Sequence, residues 1–154
     1  MPFMSHDVSH RMVTRLKLDG SSRENFYSSL NEQLGGCPGF ITHQKNTQEM
    51  DEITILVSGS GTFTVCLGNV EFCTYTDLDM SVQMALAYHK VFDHPFSEAN
   101  ECLAKFLGSV LGIDYGSPNR RVQMCIDKMQ WVCCVLSVMF VLYKCIVFLW
   151  CVIW

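Results

Sequence analysis

The nine cysteines of this chain include no Cys-x-x-Cys pair, which removes a zinc ribbon and a thioredoxin-type redox site from consideration. No Asn-x-Ser/Thr acceptor occurs, and the opening stretch MPFMSHDVSHRMVTRL lacks the continuous apolar core of a secretory signal. A reducing compartment with free, mostly buried thiols is the expectation. Charge is scarce as well: 17% of residues are charged, and the net charge is −4. The one basic cluster, Arg11, Arg15 and Lys17, has acidic residues on both sides, whereas a nucleic-acid surface needs grouped cations to displace counterions. No nucleic-acid partner is expected.

A catalytic set is also missing. GSGTFT has the glycines of a phosphate loop, but a strand pattern follows it where a phosphate cradle needs a helix N-terminus. Ser60 lies between two glycines without the Gly-x-Ser-x-Gly spacing of a nucleophile elbow. Cys37 before Pro38 has no basic partner that sequence can supply. His89, Asp93 and His94 come nearest to a metal or acid–base group, since His89 and Asp93 share a helix face at i, i+4. No further ligand has a fitting spacing, so they stay minor candidates against the commoner reading as solvated helix-end residues. His6 and His10 are also four apart, with no helical pattern to support them. The expectation is a non-enzymatic protein without metal or cofactor.

What is present is a change of period along the chain. Residues 1–20 are weakly patterned and read as an N-terminal arm. Ser21 and Glu24 have capping-box spacing, Phe26, Leu30 and Leu34 form a stripe, and Gly35-Gly36 supplies a stop, so a short helix is expected. EITILVSGSGTFTVCLGNVEFCTYT is rich in Thr, Val, Ile and Phe, which suit a pleated surface. Gly68-Asn69 marks a hairpin, in a register that sets Leu67 opposite Val70, Val65 opposite Phe72 and Phe63 opposite Thr74. A third strand, roughly 52–58, completes a three-stranded antiparallel meander.

Two helices follow. DLDMSVQMALAYHKVF has Val82, Met84, Leu86, Tyr88 and Phe92 on a broad apolar side. SEANECLAKFLGSVLG places Cys102, Leu103, Phe106, Leu107, Val110 and Leu111 at i, i+3, i+4, i+7. Ser97 is the expected N-cap, Glu101 and Lys105 an i, i+4 pair, and Gly112 the C-terminal glycine. Pro95 makes a corner between the helices. The class is α+β: a small domain over 21–118, with two or three helices on one apolar sheet face. Phe63, Val65, Phe72, Leu103 and Phe106 are expected to share one core cluster.

The hairpin and the run TDLDMSVQMALAYHKVFDHPFSEANECLAKFLGSVLGI resemble a module of metazoan proteins of uncharacterised function, many linked to mobile elements. The matching positions are Asp77, Leu78, Tyr88, Phe92, Pro95, Leu103 and Phe106, with His94 where the module has a corner tyrosine. These are packing residues over about a third of the chain. The resemblance therefore implies a fold fragment and no activity.

Residues 119–130 read as a basic lead-in, and 131–154, WVCCVLSVMFVLYKCIVFLWCVIW, as a long apolar helix. At about 1.5 Å per residue these residues reach past a hydrocarbon core of about 30 Å. Lys144 opposes insertion by roughly 2.5–3.5 kcal/mol, which the apolar residues offset. Trp131, Trp150 and Trp154 stand where indoles favour the interface, and Arg120, Arg121 and Lys128 precede the stretch. Together these features predict a single-pass tail anchor, with residues 131–154 in a membrane and a cytosolic domain that meets a protein partner. The competing expectation is a soluble fragment of a larger mobile-element-derived protein. In that case the tail is a T/G-rich non-coding stretch read by gene prediction as protein.

Overall fold

The computed structural model describes residues 4–43, 52–98 and 100–129. The fold is α+β, and the described residues form a four-stranded mixed sheet and five helices. In chain order these are α1 (His6–Leu16), α2 (Arg23–Leu34), β1 (Ile41–Thr42), β2 (Ile53–Val57), β3 (Phe63–Leu67), β4 (Val70–Tyr75), α3 (Leu78–Val91), α4 (Glu101–Leu111) and α5 (120–129). The sheet order is β1-β2-β3-β4. The expected meander is β2-β3-β4. The addition is β1, which runs parallel to β2 and pairs Ile41 with Ile55 and Thr42 with Leu56. Two residues carry too little period for sequence to register them as a strand.

One hairpin detail differs from expectation. Leu67 does face Val70, but a bulge between Val65 and Cys66 shifts the register, so Val65 faces Cys73 and Phe63 faces Tyr75. Phe72 is the extra residue. A bulge turns successive side chains towards one side, and here both Phe72 and Cys73 reach Tyr88 of α3. The Phe72 and Tyr88 ring centroids are 4.6 Å apart, and the Tyr88 hydroxyl donates to Cys73 Sγ at 3.7 Å.

The core lies between the sheet and the helices. α3 crosses β2, β3 and β4, and sets Leu78, Val82, Ala85 and Leu86 against Ile53, Ile55 and Val65. α4 packs on α2 rather than lying over the hairpin face. Leu103 and Phe106 nonetheless belong to the same buried cluster as Val65, with Phe63 and Phe72 packed at its margin, as the pattern predicted. Gly108 lets the 113–115 segment lie close on α4, because a Cβ there would meet the Tyr115 ring and the Ile113 carbonyl.

The caps explain where the helices start. Ser22, not Ser21, caps α2, accepting from Asn25 N–H at 3.1 Å; Glu24 instead pairs with His43 at 3.1 Å. Asp77 caps α3 by accepting from Asp79 N–H at 2.9 Å. α4 begins one turn later than expected, with Asn100 rather than Ser97 at the N-cap position and no side-chain cap. The Asn100 amide is engaged elsewhere, as described below.

Both ends of the described chain join this core. The supposed arm contains α1, capped by Ser5 and ended by Lys17 in the left-handed region, and its Met12 and Leu16 are buried. The supposed lead-in is α5, whose Val122, Cys125 and Ile126 are buried in the same cluster. Arg121 donates to the carbonyl oxygens of Gln33 (2.9 Å) and Glu32 (3.2 Å), closing the C-terminus of α2. Arg15 of α1 donates to the Met129 carbonyl at 2.9 Å. The cations read as flanking a membrane instead include a helix cap.

The single-pass reading is corrected too. Among the described residues no helix is long and apolar enough to cross a membrane. Residues 131–154, with Trp131, Lys144, Trp150 and Trp154, lie outside the described residues. Among the described residues a tail anchor has no structural element to rest on, and the single-pass reading does not stand.

Candidate functional site

The three residues singled out as minor metal candidates meet at the α3–α4 corner but do not form a ligand set. His89, in the last turn of α3, is 3% exposed. Its Nδ1 is 3.2 Å from the His94 carbonyl oxygen and its Nε2 is 2.8 Å from Asn100 Nδ2. An amide NH2 can only donate, so Nε2 accepts and Nδ1 carries the proton that goes to His94 O. The second Asn100 N–H points to the Ile53 carbonyl at 3.4 Å. Reversing the amide would set oxygen against oxygen at Ile53, so this orientation is the consistent one. It leaves Asn100 Oδ1 buried without a hydrogen-bond partner.

The His89 ring is neutral. Burial pushes its pKa below the ordinary imidazole range, and the bonding to the backbone at His94 and Pro95 opposes this only in part. His94 stacks on it at 5.5 Å and Phe96 packs at 4.3 Å. Asp93 is exposed and occupies the left-handed region, with φ 49°, at the end of α3. The cluster thus joins α3, α4 and β2 as a structural polar knot. Among the described residues no group of three or more His, Cys, Asp or Glu is placed to hold a metal ion.

A second polar group joins α2 to the start of α3. The buried Tyr27 hydroxyl donates to Asp79 Oδ1 at 2.8 Å, and Arg23 Nη2 lies 3.0 Å from Asp79 Oδ2. Burial pushes the Tyr27 phenol far above its ordinary value, and the Asp79 carboxylate beside it adds to the shift. Burial likewise raises the Asp79 carboxyl, against the opposing influence of Tyr27 and Arg23. The arrangement holds helices together: the phenol is locked as a donor and the carboxylate is held between two partners.

Sequence reasoning missed an aromatic ledge beside the outer sheet strand. Phe72, Tyr88 and Phe92 form a closed triangle of ring contacts, with centroids 4.6, 5.6 and 6.1 Å apart. Phe92 is 60% exposed and its neighbour Val91 73%. At the near end of β4, Val70 is 59% exposed. Among the described residues β4 is the last strand of the sheet, with one side of its backbone paired to β3 and the other forming the edge. The signal was present as Val91-Phe92 continuing past the polar His89-Lys90, but periodicity assigned both aromatics to the core.

The positions that carry the resemblance divide between these regions. Asp77 is the α3 cap, and Leu78, Leu103 and Phe106 are buried, whereas Tyr88 and Phe92 form the ledge. The chain matches no protein-family model, no curated protein and no solved structure.

Proposed function

We propose that this chain is a non-catalytic protein-interaction domain that adds an extended peptide segment to the edge of β4, with an apolar side chain of the peptide seated on the Phe72–Tyr88–Phe92 ledge. The observation that carries the reading is the ledge itself: three aromatics in mutual contact, one of them 60% exposed, beside the strand that ends the sheet among the described residues. Exposed apolar clusters mark interaction sites more often than chance, and aromatics supply most of the binding energy at such sites. An edge strand gives main-chain hydrogen bonds to any extended chain, while a neighbouring pocket or ledge selects the side chain. An acidic residue, Asp93, adjoins Phe92 in a chain of net charge −4. A Lys or Arg near the anchoring residue of the peptide is the complementary choice.

Support also comes from the titratable groups a catalyst would need. His89 uses both ring nitrogens in structural bonds, and the Tyr27–Asp79–Arg23 group ties two helices together. The test is selection from a library of random linear peptides. Selected sequences should combine an aromatic or long aliphatic residue with a nearby base, and Phe92→Ser should weaken them roughly tenfold or more while leaving stability nearly unchanged. Peptides that bind the Phe92→Ser variant as well as the parent chain would remove the proposal.

A further inference from the structure

The two protonation states of His89 ask opposite things of Asn100. With a neutral ring, Nδ1–H donates to the His94 carbonyl and Nε2 accepts from Asn100 Nδ2, 2.8 Å away. The same amide nitrogen sends its other N–H to the Ile53 carbonyl of β2 at 3.4 Å. A charged ring has a proton on both nitrogens and accepts nothing. Its Nε2–H would meet the Asn100 amide donor against donor, between two side chains that are both buried. The acceptor it needs is close: Asn100 Oδ1, buried and without a partner among the described residues. Turning the amide over brings Oδ1 to Nε2–H but sets it against the Ile53 carbonyl, oxygen facing oxygen. One orientation cannot serve both groups.

We propose that this joint is a proton-operated latch: a second proton on His89 turns the Asn100 amide over and releases the hold of α4 on the Ile53 carbonyl of β2. The His94 side of the ring stays closed, since Nδ1–H donates to the His94 carbonyl in either state. Asn100 stands at the N-cap position of α4 without a side-chain cap, so turning its amide unmakes no cap. His89 lines an open cleft of about 440 Å³, which gives the proton a route to the ring. Around that cleft α3 brings Lys90 and Asp93, and the segment after α4 brings Asp114 and Tyr115. Lys90 donates to the Asp114 carbonyl at 3.2 Å, and on α4 Glu101 is held by Lys105 at 2.6 Å. β2 brings no ionisable side chain. Burial disfavours the charged ring, and His94, stacked on it at 5.5 Å, adds to this. The latch therefore opens below the ordinary imidazole value of about 6.5. It is independent of the reading at β4.

Nitrogen and carbon resonances of the isotope-labelled full chain, followed from about pH 8 down to about pH 5, test this. At the upper end Nδ1 should carry the His89 proton and Nε2 none. As the ring takes its second proton, the Asn100 side-chain amide and the Ile53 carbonyl carbon should shift with the same midpoint, below about 6.5. Asn100→Asp sets an oxygen at Nε2 in both states. It should raise the His89 midpoint by about one unit or more and abolish the step at Ile53. The proposal is overturned if His89 protonates while Asn100 and Ile53 stay unchanged, if Nε2 rather than Nδ1 carries the proton at the upper end, or if the chain unfolds before the ring is charged. An unchanged midpoint in a folded Asn100→Asp chain would overturn it as well; where that variant does not fold, the parent titration decides alone.

Discussion

Phe106 and Phe92 are the same residue type on consecutive helical segments, and the fold treats them in opposite ways. Phe106 is wholly buried between α4 and the rest of the core, while Phe92, just past the end of α3, is 60% exposed. The first gains free energy by leaving water; the second keeps most of its surface in water and stacks on two other aromatics at the sheet margin. A residue that stays exposed adds little to folding and is available to a partner. The two regions therefore separate stability from interaction, and substitutions can show whether that separation is real.

The largest effect is expected in the core. Phe106→Ala should destabilise the full-length chain by about 3–5 kcal/mol, a large part of the stability of a small domain. Phe92→Ala should cost less than about 0.5 kcal/mol in the same urea denaturation series. Similar losses for the two would place Phe92 in the core and break the comparison. Ile126→Ala, in the segment once read as a lead-in, should cost about 2–5 kcal/mol, because α5 fills the same cluster. A neutral result there would detach α5 from the domain.

Polar contacts should give smaller changes. Tyr27→Phe removes a hydrogen bond to a largely buried carboxylate and should cost about 1.5–3 kcal/mol. The smallest expected effect is a pH dependence at the corner. Above about pH 6.5 the His89 imidazole is neutral in both folded and unfolded chains. As pH falls below that, the unfolded chain takes up the proton first, since burial lowers the folded value. Stability contributed by His89 therefore declines through that window and levels off below the folded value. His94, Asp93 and Lys90 line the same cavity, so the informative quantity is the difference between parent and variant. His89→Gln should abolish this part of the slope in denaturation curves taken across the window. An unchanged slope would assign the pH dependence to other groups.

How much of this was legible beforehand depended on whether the deciding contacts were local. The hairpin at Gly68-Asn69, the α3 start at Asp77, the Glu101–Lys105 pair (2.6 Å) and the glycine after α4 are set within a few residues, and all were readable. The bulge was not, because inserting Phe72 serves a contact with Tyr88 on another element. Ser97 was the better local cap, yet Asn100 stands there because its amide is needed by His89 and the Ile53 carbonyl. α1 escaped notice since Met12 and Leu16 form a thin stripe among charged residues, although Ser5 and the later left-handed Lys17 mark its ends. β1 depends wholly on pairing with β2, a partner distant in sequence. Of the candidate site, His89 and Asp93 were expected to share a helix face as solvated helix-end residues; Asp93 is exposed, whereas His89 is buried and bonded to the His94 carbonyl and Asn100. The ledge was invisible as a surface because nothing in the period distinguishes an aromatic that faces the core from one at its rim.

The most direct test of the interaction account is amide hydrogen exchange of the full chain with and without a saturating library-selected peptide. Added-strand binding predicts slowed exchange concentrated in residues 70–75, where main-chain groups along the β4 edge would gain partners. Unchanged exchange there, with protection elsewhere or nowhere, would contradict it.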